Sequence, residues 1–285
     1  YIFVEGNIVD RDLVERIVAD VDMIVHFAAE SHVDRSILEP DAFVQTNIVG
    51  TQVLLDLAVK HKVKHFHHIS TDEVFGSLEL GKDTQFSETT PYDPRSPYSA
   101  SKASSDHLVR AYGETYGLQY TITNCSNNYG EYQFPEKLIP LAITNILDNK
   151  AVPVYGDGLQ VRDWLYVQDH CSAIEKVLES GSSQKTYVVG GLTEDIPNIE
   201  VVKTILKIMG KSEHMLEHIT DRAGHDVRYS VDWSHIKKDL GWEPSVSFEV
   251  GIEQTITWYL ANESWWRPLL SDNQDYFKKN YQDRT

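Results

Sequence analysis

Cysteine is scarce in this chain: Cys125 and Cys171 are the only two among 285 residues. A disulfide framework is thereby excluded, and a reducing cytoplasm suits the composition. Positive charge is also short, with 26 Lys and Arg against 43 Asp and Glu and a formal net charge of −17. Nucleic acid and anionic membrane are recognised through excess Lys and Arg, so neither is expected as a partner. No apolar run approaches the roughly 18 residues of a membrane span; the longest are of the kind Met23-Ile24-Val25-His26-Phe27-Ala28-Ala29. Metal-binding spacings such as H-E-x-x-H and C-x-x-C are missing, and strand alternation turns His67 away from its neighbours, so no metal site is expected. Internal repeats and low-complexity tracts are absent as well. Finally, there is no G-x-x-G-x-x-G turn, and the chain opens at Tyr1 inside a strand-like run over residues 1–4. A further βα unit upstream is the expectation, and no targeting signal can be read.

What is present is the alternation of a layered α/β protein. A hydrophobic fraction of 41% supports a sizeable core. Apolar strand-like runs at residues 1–4, 23–27, 65–70 and 119–124 alternate with helical patterns over 10–19, 39–62 and 98–116. This predicts a doubly wound parallel sheet covered by helices on both faces. Residues 79–96, with Gly81, Pro91 and Pro94, have no periodicity and read as a long loop beside a strand end. Beyond about residue 150 the elements shorten. Strands are predicted at 152–155, 164–167 and 185–189 and helices near 198–209, 234–240 and 250–262, as a smaller α/β lobe that makes a cleft with the first.

The chemistry concentrates in two short segments. In Tyr98-Ser99-Ala100-Ser101-Lys102 a phenol and an ammonium share one helix face, and the positive charge is expected to favour the phenolate, so that Tyr98 acts as a base. The strand-like run at 65–70 ends in Thr71-Asp72-Glu73, where a parallel strand presents its carboxyl end and open α/β sheets bind ligands. A chance Tyr and Lys on an amphipathic helix, and a polar turn closing a strand, are the bland alternatives.

Several longer segments carry a resemblance: Phe27-Ala28-Ala29-Glu30-Ser31-His32-Val33-Asp34-Arg35-Ser36, Ser70-Thr71-Asp72-Glu73-Val74-Phe75-Gly76, Tyr98 to Lys102, Cys125-Ser126-Asn127-Asn128-Tyr129-Gly130, Pro135-Glu136-Lys137-Leu138-Ile139-Pro140 and Val161-Arg162-Asp163-Trp164-Leu165-Tyr166-Val167. In order and over nearly the whole chain, they resemble the dTDP-glucose 4,6-dehydratases of the extended short-chain dehydrogenase/reductase superfamily. The resemblance implies a Rossmann-like fold with its first βα unit missing, and a lyase with bound NAD acting on a nucleoside-diphosphate sugar, dTDP-glucose. It implies an NAD-binding domain at 1–151 and 169–192 and a sugar-nucleotide lobe at 152–168 and 193–285. Tyr98, assisted by Lys102, would remove the C4 hydroxyl proton. Glu73 would take the C5 proton, Asp72 would protonate the leaving C6 hydroxyl, and Thr71 would hydrogen-bond the C4 oxygen. For those roles Asp72 must have a raised pKa while Glu73 stays ionised. Asn7, Ile8, Ala28, Ala29, Thr46 and Cys125, with Tyr98 and Lys102, match positions that contact NAD. Ser31, Asn128, Glu136, Lys137, Pro153, Tyr155, Arg162, Asn198, Arg222 and His225, with Thr71, match the sugar-nucleotide side. Arg162 and Arg222 suit a diphosphate, since a guanidinium pairs bidentately with phosphate oxygens, and Tyr155 suits stacking on the base. Pairing of Arg162 with Asp163, and Tyr155 as a core residue, are the structural alternatives.

Departures from the family pattern are the absent glycine-rich turn, Asn7 for the usual Asp, Phe75 for Tyr, Asn124 for Arg, Glu131 for Pro and Ala223 for Pro. Where the family usually has Asn-Glu after Gly190-Gly191, the chain reads Leu192-Thr193-Glu194, which leaves Asn198 as the better candidate. The competing readings are a 4-epimerase or decarboxylase of the same superfamily and a non-catalytic sugar-nucleotide-binding remnant. Against the epimerase stands the carboxylate pair, because epimerisation at C4 needs no acid for a leaving hydroxyl. The helices at 39–62 and 98–116 carry apolar residues beyond one stripe, namely Val53, Leu54, Leu55, Leu57, Leu108, Val109 and Tyr112. They predict a homodimer built on a four-helix contact, unless they only cover the sheet.

Overall fold

The computed structural model describes residues 1–192 and 195–272. Its centre is a four-stranded parallel sheet in the order Met23–His26, His65–Thr71, Tyr120–Cys125, Lys185–Val189. The register sets His26 beside His68, Ser70 beside Asn124 and Cys125 beside Val189, so the carboxyl ends of the strands lie side by side. Strand Tyr120–Cys125 is buried at every position, as a central strand covered on both faces must be.

Local signals fix the covering helices. Asp10 caps Arg11–Val18 by accepting from the Leu13 amide at 3.1 Å. Ser96 and Ser99 form a reciprocal capping box at the start of Pro97–Tyr116, Pro97 occupies the first turn, and Gly117 closes the helix at φ +70°. The long helix Pro40–Lys60 contains a π-helical stretch over Val44–Gly50. It is long and apolar enough to cross a membrane, yet it packs as a core helix, with Val53, Leu55, Leu57 and Ala58 buried. Thr71 starts the tight turn Asp72–Phe75, which ends at Gly76 with φ +90°, where a Cβ would sit 2.7 Å from the Asp93 carbonyl oxygen.

Two large apolar clusters result. One joins Val14, Leu55, Leu57, Phe66, Val109 and Ile122. The other gathers Tyr129, Ile143, Val202, Ile252, Tyr259 and Trp266 around the helices Leu138–Leu147, Asn198–Ile208 and Phe248–Ala261. The second is floored by the parallel pair Val152–Tyr155 and Leu216–Ile219.

Three sequence expectations change. The run at residues 1–4 forms no strand: no ladder among the described residues reaches it, and Tyr1, Ile2 and Phe3 are exposed. Helices Leu138–Leu147, Val167–Ser180 and Glu263–Asp272 were not predicted as elements; the first is apolar on nearly every side because the second cluster surrounds it, which erases the helical period. Val53, Leu54, Leu55, Leu57 and Val109 are buried by the chain's own sheet and helices, and Leu108 and Tyr112 pack on the same cluster, so these side chains take the alternative of covering the sheet.

Candidate active site

Tyr98 lies in the first turn of Pro97–Tyr116, which runs against the carboxyl end of His65–Thr71. Its ring is buried edge-on to Phe43, with centroids 6.2 Å apart, and Thr71 is among the groups that act on the phenol. One turn on, buried Lys102 donates from Nζ to the Ile69 carbonyl oxygen at 2.6 Å. Asn47, from the π-helical stretch, braces the same helix: its Nδ2 donates to Ser101 Oγ at 2.8 Å, and its Oδ1 accepts from the Glu30 amide at 2.8 Å.

The electrostatics refine the expectation for Tyr98. Burial, then the Glu73 charge, hold its phenol well above the usual range, and the Lys102 ammonium is engaged by a carbonyl. Burial and the Glu73 charge thus outweigh the lowering by Lys102 that the helix spacing suggests. Burial also leads the rise of Asp72, with Glu73 and Asp163 adding like charge, so Asp72 is an acid well above the ordinary carboxylate range. Glu73 rises too, through burial, but Arg222, Lys137 and Arg162 oppose the shift. The two carboxyls therefore differ in environment: the three cations that act to keep Glu73 ionised outnumber the one, Arg162, that acts on Asp72.

Glu73 opens into a cleft shared with the second apolar cluster, lined by Asn128, Glu136, Lys137, Pro153, Tyr155, Arg162, Asn198, Arg222 and His225. Arg162 donates to the carbonyl oxygens of Val161 at 2.7 Å and Asp226 at 3.0 Å and stacks over the Tyr229 ring, so it does not take the alternative of pairing with Asp163. Tyr155 is half-buried at the cleft wall rather than in the core; its hydroxyl donates to Asp34 at 2.8 Å and its ring meets His225 edge-on. Arg222 stands 3.7 Å from Asp34, and His225 pairs with Asp221 at 2.6 Å. Arg35 is paired with Glu136 at 2.8 Å, and Lys137 donates to the Ser31 carbonyl oxygen at 2.6 Å. Asn128 Oδ1, Gln133 Oε1, Asn198 Oδ1 and Arg222 Nε are buried in this cleft with no partner among the described residues, which a polar ligand would satisfy.

A family model described as GDP-mannose 4,6 dehydratase matches residues 1–255. The dTDP-glucose 4,6-dehydratase of Mycolicibacterium smegmatis is 49% identical over 282 residues, which are 99% of this chain and 83% of that protein. The chain belongs to the dTDP-glucose 4,6-dehydratase family. The dehydratase of Neisseria meningitidis is 51% identical over 293 residues, covering 95% of this chain and 82% of its own length. The crystal structure of the dTDP-glucose 4,6-dehydratase of Streptomyces venezuelae with NAD bound superposes with a TM-score of 0.91 at 48% identity, covering 94% of this chain and 82% of that one. A UDP-glucose 4-epimerase from Thermotoga maritima, solved with UDP-glucose, reaches 0.86 at 29% identity, covering 92% and 85%. Backbone shape is thus shared with epimerases, and residues must separate the two chemistries.

On the dehydratase backbone the nucleotide-side candidates are more scattered than the sugar-side ones. Ala28 is exposed and Ala29 half-buried just past the edge strand, and Thr46 is half-buried on the long helix. Asn7 is exposed, its Oδ1 accepting from the Val9 amide at 3.1 Å, and Ile8 packs near Gly50. Cys125 ends the central strand, its thiol raised to about 12 by burial and the neighbouring Asp72 charge, and donating to the Ser70 carbonyl oxygen at 3.3 Å. Thr193 and Glu194 lie outside the described residues. Sequence reasoning overlooked Asp34, Gln133 and Tyr229, all at the cleft. Asp34 sat inside a quoted motif, but its partners Tyr155 and Arg222 are distant in sequence, and nothing local announces the contact. The histidine run corrects the expectation that His67 turns away from both neighbours: His65 and His67, two positions apart on the strand, share a face and both reach Thr121, whereas His68 faces Asp106 on the other side. Burial lowers His67 to about 3 and His68 to about 4, so both are neutral.

Proposed function

We propose that this chain is a lyase that dehydrates dTDP-glucose to dTDP-4-keto-6-deoxyglucose by transient oxidation at C4, loss of water across C5 and C6, and reduction at C6. The observation that carries the reading is the pair Asp72 and Glu73 beside Tyr98, one carboxyl buried as an acid and the other facing the cleft under three cations. An epimerase would have no use for the buried acid.

In this mechanism Thr71 and Tyr98 hold the C4 hydroxyl, and Tyr98 removes its proton with Lys102 assisting. Glu73 takes the proton at C5, which a C4 carbonyl acidifies, and Asp72 protonates the departing C6 hydroxyl. Arg162 and Arg222 pair with the diphosphate, Tyr155 stacks on the base, and Ser31, Asn128, Glu136, Lys137, Pro153, Asn198 and His225 complete the sugar-nucleotide pocket. The cofactor is NAD, which when bound accepts the C4 hydrogen and returns it at C6. Residues suited to hold it are Asn7, Ile8, Ala28, Ala29, Thr46, Cys125, Tyr98 and Lys102; exposed Phe27 and Ala28 stand just past the carboxyl end of the strand Met23–His26, where open α/β sheets bind ligands. Residues 1–151 and 169–192 would form the cofactor domain, and 152–168 and 193–285 the sugar-nucleotide lobe, with Tyr129 and the helix Leu138–Leu147 of the first packing in the apolar cluster of the second. Two cysteines without a disulfide suit a cytoplasmic enzyme.

The deciding experiment is an NMR assay of dTDP-glucose with NAD+ in deuterated water. A 4-keto-6-deoxy product labelled at C5 is expected; a C4 epimer without loss of water would establish the runner-up chemistry, and binding without turnover the remnant.

The enzyme is further proposed to be a homodimer. Its contact would use the outer sides of Pro40–Lys60 and Pro97–Tyr116, where Ala100, His107 and Ala111 are exposed, rather than the buried leucines. Sedimentation at micromolar concentration should give twice the mass of the 32.5 kDa chain; a monomer would refute the contact.

A further inference from the structure

Beneath Tyr98 and Lys102 lies a buried carboxylate to which neither the sequence motifs nor the mechanism assigns a task. Asp106 is fully buried one turn beyond Lys102 on the same helix. Its Oδ2 accepts from Tyr92 OH at 2.7 Å, Ser70 Oγ at 2.9 Å and Asn124 Nδ2 at 3.1 Å, and His68 Nε2 stands 3.2 Å from its other oxygen. The same Asn124 amide donates to the Thr71 carbonyl oxygen at 3.1 Å, and Arg110 donates to Tyr92 at 2.8 Å. One carboxylate therefore joins the catalytic helix, the last residues of the strand carrying Thr71, the neighbouring strand and the loop before the helix. Burial works to raise Asp106, but nearby His68, the charge of Lys102 and the Ser70 hydroxyl overcome it and lower the group to about 2.

A buried ammonium needs such a counter-charge. Burial lowers Lys102, and Asp106 is the first group opposing that fall. From its own helix Lys102 faces Asp106, from His65–Thr71 it faces His68, from the edge strand His26, and from the central strand Cys125. Both histidines are neutral by burial, and the thiol is protonated, so Asp106 supplies the fixed negative charge in that group.

We propose that Asp106 is a positioning residue for the redox step, keeping Lys102 charged and pinning the Thr71 end of its strand against Tyr98. The inference rests on the dehydratase reading of this site. It is tested with wild type, Asp106→Asn, Asp106→Glu and Tyr92→Phe, each supplied with NAD+ and assayed for dTDP-glucose turnover across pH. In Asp106→Asn kcat should fall about tenfold or more with KM within twofold, a size typical of a displaced catalytic group. Its alkaline limb should move to lower pH by about half a unit or more, because Lys102 loses its counter-charge. Asp106→Glu should restore the position of that limb, and Tyr92→Phe, which strips one donor from the carboxylate, should lower kcat several-fold. A normalised Asp106→Asn profile that overlays wild type, with only Tm reduced, would overturn the inference and leave the dehydratase reading intact. If Asp106→Asn does not fold, an unchanged kcat in Tyr92→Phe would overturn it. A wild-type enzyme that forms no 4-keto-6-deoxy product would remove the reading and this inference with it.

Discussion

Tyr98→Phe should lower kcat by about three orders of magnitude while sugar-nucleotide affinity stays within a few-fold of wild type. The ring packs edge-on against Phe43, and a phenylalanine keeps that contact, so the fold is unaffected. What is lost is the phenolic oxygen beside Thr71, the one acid/base group that the helix start presents to the C4 hydroxyl. Because burial and Glu73 hold the phenol high in the free chain, activity should climb with pH through the neutral range before Lys102 titrates. Turnover by NMR and binding by calorimetry separate the two quantities. A kcat within tenfold of wild type would exclude Tyr98 as the base.

Asp72→Asn and Glu73→Gln should each cost about 10²- to 10⁴-fold in product formation, but at different points of the reaction. Glu73→Gln should abolish solvent exchange at C5, since no base remains there. Asp72→Asn should retain C5 exchange and fail at loss of the hydroxyl. Identical exchange behaviour in the two variants would contradict the assignment of roles. Asp72→Asn carries a second, opposite effect on stability. The folded-state pKa of Asp72 is raised by burial, so the folded protein holds that proton to higher pH than the unfolded chain does. The resulting penalty is absent below the ordinary carboxylate range of about 4, grows as pH rises from there towards the folded value, and is constant above it. The amide variant should therefore melt above wild type at neutral pH, by about 2–4 °C per kcal/mol recovered in a chain of this size, and the gap should close toward pH 4. Thermal melts across pH decide it.

Much of the fold was legible because it depends on local periods. The alternation of apolar runs and 3.6-residue patterns marked strands Met23–His26, His65–Thr71 and Tyr120–Cys125 and helix Pro97–Tyr116 to within a residue or two at most ends. The spacing of Tyr98 and Lys102 placed both on one helix face, and the polar end of the histidine-rich strand marked where Asp72 and Glu73 would stand. The exceptions follow from the same physics. Residues 1–4 read as a strand, but a strand exists only through its neighbours, and no ladder among the described residues reaches them. Leu138–Leu147 went unread because a helix surrounded by core carries no polar stripe.

The sequence by itself therefore determined the layered class and the family and named the candidate catalytic set, since each is encoded in residues that are neighbours along the chain. Tertiary structure decided the rest. The bond from Tyr155 to Asp34 spans 121 positions, and the Asp106 carboxylate collects donors from three other elements. The protonation of Tyr98, Asp72 and Glu73 belongs to the same class, because desolvation and the summed charge around a group exist only once distant segments have closed around it.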